Sequence, residues 1–219
     1  MKNKIFAIIP ARNEDKNIGR VISEAKKYVD NIVVVDDGSS DNTRYKAKKQ
    51  GAVVLSHIIN LGKGAALKTG CDYALKQGAE KIVVLDADTQ HEPSKIPDFL
   101  KELDYVDVVL GYRQLSKTMP PLLKIGNLAI NKITRLLYRM NLHDTQCGYR
   151  AFTQYAYKKI RWNSSNYSME SEMIANIGKA RLKYKEIPIK TIYADRYKGT
   201  TIIDGIKIVF NLFWWRLSK

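Results

Sequence analysis

The sequence predicts an α/β protein that folds as a single domain, with a mostly parallel central sheet flanked by helices. In the first half, short apolar runs alternate with segments whose apolar residues recur at helical spacing. Such alternation is typical of βαβ units around a parallel sheet. With 219 residues, 45% apolar and 27% charged, the chain has the length and composition of one folded domain with a full core.

The elements of the first half follow from short runs bounded by turn residues. Strands are predicted at 5–9, 31–35, 52–56, 81–85 and 107–110. Helices are predicted between them, at 18–28, 43–50, 62–77 and after Pro93. Gly78 is a typical helix stop and supports the end of the third helix.

The second half is less regular. Residues 122–137 carry apolar side chains on more than one helix face, 147–153 read as a strand, 168–180 as a helix and 183–193 as an extended segment. Residues 202–217 are apolar and aromatic, with Trp214 and Trp215 beside Arg216. This last pattern predicts a helix that either lies at a membrane interface or packs in the core or against another subunit.

Composition excludes several classes. Lys2 and Lys4 precede only a short apolar run that ends at Pro10, so no secretory signal is expected. The sequence has no run of 18 apolar residues, which predicts no membrane span. Cys71 and Cys147 are too few for a disulfide scaffold and lack metal-type spacing, so we expect buried thiols in a reducing cytoplasm.

The positive charge is concentrated in the second half. Residues 1–112 contain 17 Lys and Arg against 16 Asp and Glu, whereas residues 113–219 contain 20 against 6. The second half therefore has a net charge of +14, which predicts a polyanionic partner there. Nucleic acid, an anionic membrane surface and a phosphate-bearing substrate are all compatible with this charge.

Three predicted strands end in polar clusters, and parallel strands place such ends along one rim of the sheet. The clusters are Pro10-Ala11-Arg12-Asn13-Glu14, Asp36-Asp37-Gly38-Ser39-Ser40-Asp41 and Asp86-Ala87-Asp88-Thr89-Gln90. Each alone is also ordinary turn chemistry. Three at successive strand ends favour a site for a base, a ribose and a metal-bound diphosphate.

The third cluster predicts a cation site. If the segment stays extended, alternating positions point the same way, so Asp86, Asp88 and Gln90 would converge. Hard oxygen ligands of this kind suit Mg2+ or Mn2+, which usually also bind substrate phosphates. Neither the Rossmann fingerprint nor the Walker P-loop is present, so metal and cationic side chains are expected to hold the diphosphate.

The ordered set of motifs resembles the inverting GT-A-fold glycosyltransferases, and among them the dolichyl- and polyprenyl-phosphate mannosyl- and glucosyltransferases. The resemblance covers roughly residues 4 to 200 and rests on Ile-Pro-Ala-Arg-Asn-Glu, Val-Asp-Asp-Gly-Ser-Ser-Asp, Asn-Leu-Gly-Lys-Gly-Ala-Ala, Asp-Ala-Asp-Thr-Gln-His and Asp-Thr-Gln-Cys-Gly-Tyr-Arg. It implies a GT-A domain over 1–200, with a nucleotide-sugar half (1–112), an acceptor half (113–200) and a C-terminal helix (201–219). The last two motifs point to different sugars, so GDP-mannose and UDP-glucose both stay open as donors.

The resemblance also implies roles for single residues. The nucleotide base and ribose would be lined by Pro10, Arg12, Glu14 and Asp37, and the nucleotide would also contact Asp86 and Ala87. The divalent Mg2+ or Mn2+ would be held by Asp88 and Gln90. Arg113 would face the phosphates or the acceptor, and a late basic pair, Arg196 and Lys198, would close over the site. Asp144 could orient the acceptor, accept a residual proton or cap a helix or turn.

The implied acceptor is a polyprenyl or dolichyl phosphate, whose oxygen is already ionised near neutral pH because the second pKa of phosphate is about 6. Each Lys or Arg near an anionic bilayer contributes roughly 1 kcal/mol, so the basic half would hold the enzyme at the cytoplasmic face of the membrane. Many members of the family that the sequence resembles carry transmembrane helices after this point, so we expect peripheral attachment or an anchoring partner protein.

Two alternatives stay open. A saccharide or other hydroxyl acceptor would make a base such as Asp144 essential. A basic nucleic-acid-binding module would need basic and aromatic residues on one face, and the acidic rim argues against it, so no nucleic-acid partner is expected. Of the histidines, His57 and His143 are expected at the surface or in turns, and His91 need not touch a metal.

Overall fold

A seven-stranded sheet with the strand order β3-β2-β1-β4-β6-β5-β7 forms the centre of the computed structural model, which describes residues 4–113, 121–166, 168–190 and 202–217. The strands are β1 (Ile5–Ala11), β2 (Asn31–Asp37), β3 (Val53–His57), β4 (Lys81–Val84), β5 (Val108–Arg113), β6 (Arg150–Thr153) and β7 (Tyr184–Ile189). Strand β6 runs antiparallel to both β4 and β5, and the other neighbouring strands pair in parallel. The predicted α/β class with a mostly parallel sheet is confirmed.

Helices cover both faces of the sheet. They are α1 (Ile18–Ala25), α2 (Thr43–Lys49), α3 (Lys63–Lys76), α4 (Ile96–Glu102), α5 (Pro121–Tyr138), α6 (Gln154–Ile160), α7 (Met169–Ala180) and α8 (Ile202–Leu217), with a short 3-10 turn at Pro93–Lys95. Alternate residues of β1 enter different cores: Phe6 and Ile8 pack with α3 and α5 to α8, whereas Ala7 and Ile9 pack with α1 and α4. This two-sided burial explains why the predicted strands are continuous apolar runs.

Among the described residues of the second half, helix α6, which directly follows β6, was not predicted from the sequence. The predicted extended segment at 183–193 contains β7, and its residues 191–193 lie outside the described part of the chain.

Helix α8 is packed on one side and exposed on the other. Ile208 and Leu212 are buried, and the Tyr138 hydroxyl of α5 donates a hydrogen bond to the Leu212 carbonyl at 2.6 Å. Phe210 and Trp214 remain 70% and 62% exposed. The predicted packing in the core is therefore present on one side of α8, and the other side exposes aromatic residues. Over the residues described, no helix is both long enough and apolar enough to cross a membrane.

Candidate active site

The three polar clusters lie side by side, as the sequence predicted, because they follow the neighbouring parallel strands β2, β1 and β4. The first two loops are hydrogen-bonded to each other. Asn13 Oδ1 accepts from the Ser40 amide at 2.9 Å, and the Asn13 amide donates to Ser39 Oγ at 3.0 Å. Asn13 takes a left-handed φ of +53° at this junction. These contacts fix the backbone directly after Arg12 at the rim.

The predicted nucleotide residues of β1 differ in exposure. Pro10 is buried in the strand, Arg12 is exposed, and Glu14 is half-buried. The Glu14 carboxylate accepts a hydrogen bond from Asn17 Nδ2 at 2.8 Å, and its amide donates to Thr43 Oγ1 at 2.8 Å. The exposed Arg12 side chain and the half-buried Glu14 are therefore held close to the rim by a fixed backbone.

Both carboxylate oxygens of Asp37 are bonded to other groups of the protein. Its Oδ1 accepts from the Leu61 amide at 2.9 Å and lies 2.7 Å from His57 Nδ1, and its Oδ2 accepts from the Gly62 amide at 2.8 Å. The other ring nitrogen of His57 lies 3.0 Å from Thr69 Oγ1. Asp37 thus fixes the loop that leads into α3, and the prediction of His57 as a surface or turn residue is wrong, because its ring bridges two elements.

The segment after β4 is not extended, contrary to the sequence-based expectation. The strand ends at Val84, Thr89 takes a left-handed φ of +64°, and the Gln90 amide donates to Asp88 Oδ1 at 3.0 Å. The backbone of Gln90 therefore approaches the Asp88 carboxylate through a tight turn and not through strand alternation. Asp86 lies before this turn, and Ala87 is buried beside it.

Asp88 carries an unfavourable negative charge. Burial raises the pKa of Asp88, and the negative charges of Asp86 and Glu14 raise it further. A carboxylate in this position is stabilised by any additional cation. The described residues contain no group of three His, Cys, Asp or Glu side chains arranged to hold a metal ion.

Lys63 joins the two halves of the protein, and the sequence analysis did not assign it a role. Its Nζ lies 2.7 Å from Asp86 Oδ1 and 3.1 Å from Glu170 Oε1 in the first turn of α7. Burial alone would lower the pKa of Lys63, but the negative charges of Asp86 and Glu170 outweigh it, and the amine stays protonated. The same contact holds the pKa of Asp86 below its usual value, against the effect of burial.

The start of α3 is fitted closely to the loop before α7. Gly62 has a φ of +96°, and a Cβ on Gly64 would lie within 2.3 Å of the Ser164 carbonyl oxygen. The amides of Gly64 and Ala65 donate to the Ser165 carbonyl at 2.7 and 3.2 Å. These helix N-terminal amides are therefore occupied, in agreement with the missing glycine cradle for phosphate. Lys63 takes its place at the rim because this helix start is fixed.

His91 contacts the segment that follows β4. Its Nδ1 accepts from the Asp86 amide at 3.4 Å, and its ring stacks on Tyr149, which stacks on Phe99. Burial and the nearby Lys63 charge lower the pKa of His91 to about 4, although Asp86 acts in the opposite direction. The ring is therefore neutral at physiological pH and serves as an acceptor.

Residues 144–150 belong to the second half of the chain and border the candidate site on that side. Asp144 is buried and pairs with Arg113, with Nε–Oδ2 at 2.6 Å and Nη2–Oδ1 at 3.1 Å. Burial alone would raise the pKa of Asp144, but the hydrogen bonds and charge of Arg113 hold it below its usual value. Asp144 also accepts from the Gln146 amide at 3.0 Å, so the turn-capping role is present as well.

Arg150 and Gly148 shape the same loop. The buried guanidinium of Arg150 donates to the carbonyls of Cys147, Thr145 and Glu170 at 2.8 to 2.9 Å. A Cβ on Gly148 would lie 2.8 Å from both Asp86 Oδ2 and Lys63 Nζ. A side chain at this position would therefore displace the ends of the Asp86 and Lys63 side chains.

The remaining predictions have mixed outcomes. Cys147, like Cys71, is a buried free thiol as expected. His143 is exposed as expected, and its Nδ1 lies 2.8 Å from Glu186 Oε2. The predicted basic pair, Arg196 and Lys198, lies outside the described residues.

Comparison with known proteins agrees with this geometry. The sequence model of "Glycosyl transferase family 2" matches residues 6–161. An uncharacterized protein of Methanocaldococcus jannaschii is 41% identical over 227 residues, covering 99% of this chain and 93% of that protein. The UDP-N-acetylglucosamine–dolichyl-phosphate N-acetylglucosaminyltransferase of Methanococcus voltae is 34% identical over 244 residues, covering 98% of this chain and 97% of that protein.

A solved structure shares the fold. The glucosyl-3-phosphoglycerate synthase of Mycobacterium tuberculosis, crystallised with Mg2+ and uridine diphosphate, aligns with a TM-score of 0.78 at 18% identity, over 98% of this chain and 79% of that chain. From the family match, the relatives and the shared fold, the chain belongs to glycosyl transferase family 2 and is a glycosyltransferase with the GT-A fold.

Proposed function

We propose that the protein transfers a sugar, with inversion, from a nucleotide-diphosphate sugar to a polyprenyl phosphate of the dolichyl type. The Methanococcus voltae relative, which matches nearly end to end, is named for a dolichyl-phosphate acceptor and a UDP-N-acetylglucosamine donor. Its name adds UDP-N-acetylglucosamine to GDP-mannose and UDP-glucose as donors to test.

The donor nucleotide is assigned to the rim of β2, β1 and β4. In this proposal Arg12, Glu14 and Pro10 line the base and ribose, and Asp86 with Ala87 follows towards the diphosphate. Asp37 acts on the same pocket through the loop at Leu61 and Gly62, because both of its oxygens are engaged there. The fixed loops supply a preorganised surface, which lowers the ordering cost of binding.

A divalent cation, Mg2+ or Mn2+, fits the residues present. Asp88 and Gln90 share one turn, and burial together with the negative charge of Asp86 raises the pKa of Asp88, so a bound cation would stabilise its carboxylate. Mg2+ is commonly held by one or two protein ligands and completed by substrate phosphates and water, so a cluster of three acidic residues is not required. When bound, the cation would neutralise charge on the departing diphosphate.

The protein's own cations act on the same charge. In this proposal the protonated Lys63, which pairs with Asp86, acts on the donor side, and the guanidinium of Arg113, which pairs with Asp144, acts on the acceptor side. Fixed positive groups of this kind stabilise negative charge as it develops on a leaving phosphate. Arg113 is held in orientation by Asp144, which makes Asp144 a positioning residue.

The observation that carries the choice of acceptor is the state of Asp144. A general base works best with a pKa near the operating pH, whereas the pKa of Asp144 is lowered and both of its oxygens are engaged by Arg113. A neutral hydroxyl acceptor would need such a base. A polyprenyl phosphate is already ionised and does not.

Helix α8 supports an acceptor that resides in a bilayer. Phe210, Phe213 and Trp214 are exposed on its outer surface, with exposed Lys207 and Arg216 at either end. Aromatic residues flanked by cations suit the boundary of an anionic membrane. We assign this surface to peripheral attachment at the cytoplasmic face, alone or with an anchoring partner protein.

A panel experiment tests the proposal. The protein is incubated with each of the three labelled nucleotide-sugars, with and without polyprenyl phosphate, in Mn2+ or in EDTA, and lipid products are extracted. The expected result is one preferred donor, a labelled lipid that depends on polyprenyl phosphate, and loss of product in EDTA. Absence of labelled lipid with every donor contradicts the proposal.

A further inference from the structure

One buried oxygen has no partner in the part of the chain that the structure describes. Glu170 is only 3% exposed, and its Oε2 makes no hydrogen bond there. Its other oxygen, Oε1, pairs with Lys63 at 3.1 Å. A buried acceptor on a charged group is costly to leave unsatisfied, so this oxygen requires an explanation.

The position of Glu170 is fixed. Its backbone carbonyl accepts from Arg150 at 2.8 Å, and its side chain is anchored by Lys63. It lies in the first turn of α7, where the helix dipole favours a negative charge. The nearby Glu172 shows the contrast, because its Oε1 accepts from the Asn163 amide at 2.9 Å and its Oε2 from the Ser164 amide at 2.8 Å. Glu172 therefore holds a loop in place, whereas Oε2 of Glu170 makes no hydrogen bond within the described residues.

Glu170 also lies where the two halves of the protein meet. Lys63 connects it directly to Asp86, at the end of the donor rim, while Arg150 connects it to the loop that contains Asp144. If the proposed function holds, the sugar is attached beyond the diphosphate and must face the acceptor. On that proposal the sugar would lie between Asp86 and the second half, beside Lys63.

The chemistry of the free oxygen selects the ligand. A carboxylate oxygen repels the phosphates of either substrate, and the cation beside it is already supplied by Lys63. A neutral hydroxyl donor satisfies the oxygen without adding charge. We infer that Glu170 Oε2 accepts a hydrogen bond from a hydroxyl of the donor sugar, and that Glu170 is a specificity-determining residue for that sugar.

Deoxy-sugar donors test this inference. Once the preferred donor is known, kcat/KM is measured for it and for its 3-, 4- and 6-deoxy analogues, with the native enzyme and with Glu170→Gln. A hydrogen bond to a charged group corresponds to roughly 10- to 150-fold, so the native enzyme should lose that factor with one analogue. Glu170→Gln should lose a similar factor with the full donor and little more with that analogue.

Glu172→Gln is the matched control, because its oxygens bind backbone amides within the protein. Any loss it causes should be the same factor for all four donors. An equal loss across donors in Glu170→Gln, with or without a changed Mn2+ requirement, would overturn the inference. If Glu170→Gln does not fold, the native enzyme decides alone: losses below about threefold for every analogue are too small for a charged hydrogen bond and overturn it too.

Failure of the proposed function is separable from failure of this inference. Binding of the nucleotide-sugar and its deoxy analogues can be measured by calorimetry without an acceptor. An enzyme that uses another acceptor would still distinguish the analogues in this measurement. Equal affinities for all of them would contradict the role of Glu170 whatever the acceptor.

Discussion

Arg113 and Asp144 form a bidentate ion pair in which Nε lies 2.6 Å from Oδ2 and Nη2 lies 3.1 Å from Oδ1. Arg113 ends β5, and Asp144 lies in the loop before β6, so the pair ties the sheet to the wall of the site. Asp144 is buried, whereas part of Arg113 reaches solvent. The arrangement directs a fixed guanidinium towards the rim and leaves its carboxylate partner without a free oxygen for proton transfer.

Removing this carboxylate should cost stability. Because Asp144→Ala leaves a charge without its buried partner, we expect a loss of about 3 kcal/mol in the free energy of unfolding, measured with urea. The lowered pKa of Asp144 implies stability that is present above the unfolded pKa of about 3.9 and lost as pH falls through the folded value. The difference between native protein and variant should therefore shrink below about pH 4. A variant as stable as the native protein at pH 7 would contradict the structural role of the pair.

Substitution of Asp88 should reduce activity without reducing stability. Because burial and neighbouring carboxylates disfavour its charge, Asp88→Asn should leave the melting temperature unchanged or slightly higher while transfer activity falls at least about 100-fold. Mn2+ with nucleoside diphosphate should raise the melting temperature of the native protein and not of the variant, by linkage. Equal stabilisation of both proteins would remove Asp88 from the metal site.

His91 should make the protein sensitive to mild acid. Its folded pKa of about 4 lies below the usual 6.5, so the unfolded chain binds the proton first and stability falls as pH drops from about 6.5 towards 4. The expected loss attributable to His91 is roughly 2 kcal/mol by pH 5. His91→Asn retains an acceptor for the Asp86 amide and should lack this part of the pH dependence. The free energy of unfolding of both proteins is measured with urea at pH 7 and at pH 5. An equal decrease in this free energy for both proteins would contradict the role of His91.

Two glycines offer a matched comparison. Gly148→Ala should displace the Lys63–Asp86 pair, since the new Cβ meets only side-chain ends, and reduce kcat/KM by about tenfold with little change in melting temperature. Gly64→Ala places its Cβ against the Ser164 backbone carbonyl and should destabilise the fold instead. Equal melting temperatures for Gly148→Ala and Gly64→Ala would contradict this prediction.

The outer surface of α8 can be tested without catalysis. The double variant Phe213→Ser and Trp214→Ser removes exposed aromatic surface and should reduce co-sedimentation with anionic vesicles several-fold, while the melting temperature stays the same. Tyr105→Ser, which alters an exposed aromatic residue between α4 and β5, serves as the control. Equal vesicle binding by all three proteins would remove α8 from membrane attachment.

The sequence predicted the first half well because its signals are local. Strands β1, β2, β4 and β5 are largely buried apolar runs, β3 is a partly exposed edge strand that begins with three apolar residues, and the polar clusters follow strands that are neighbours in the sheet. The antiparallel insertion of β6 between β4 and β5 was not predictable in the same way, since strand order depends on contacts between distant segments. Helix α6 was missed for a related reason: its buried residues face a core built by other elements.

The site was predicted in part. The segment that contains Asp86 and Asp88 was identified from its residues. The turn at Thr89 was not predicted, because it depends on a left-handed backbone conformation that the sequence pattern did not indicate. Lys63 was visible within its glycine-rich motif, yet its role depends on Glu170, more than a hundred residues away. The occupation of Asp37 by the loop before α3 is another long-range contact that types and spacing of residues do not reveal.

The most direct test of the account compares two acceptors that differ by one group. With the preferred donor and Mn2+, transfer is measured to a polyprenyl phosphate and to the polyprenol of the same length, across pH 6 to 9. Because the pKa of Asp144 is lowered and its oxygens are engaged, we expect labelled product from the phosphate alone. Comparable transfer to the polyprenol would contradict it.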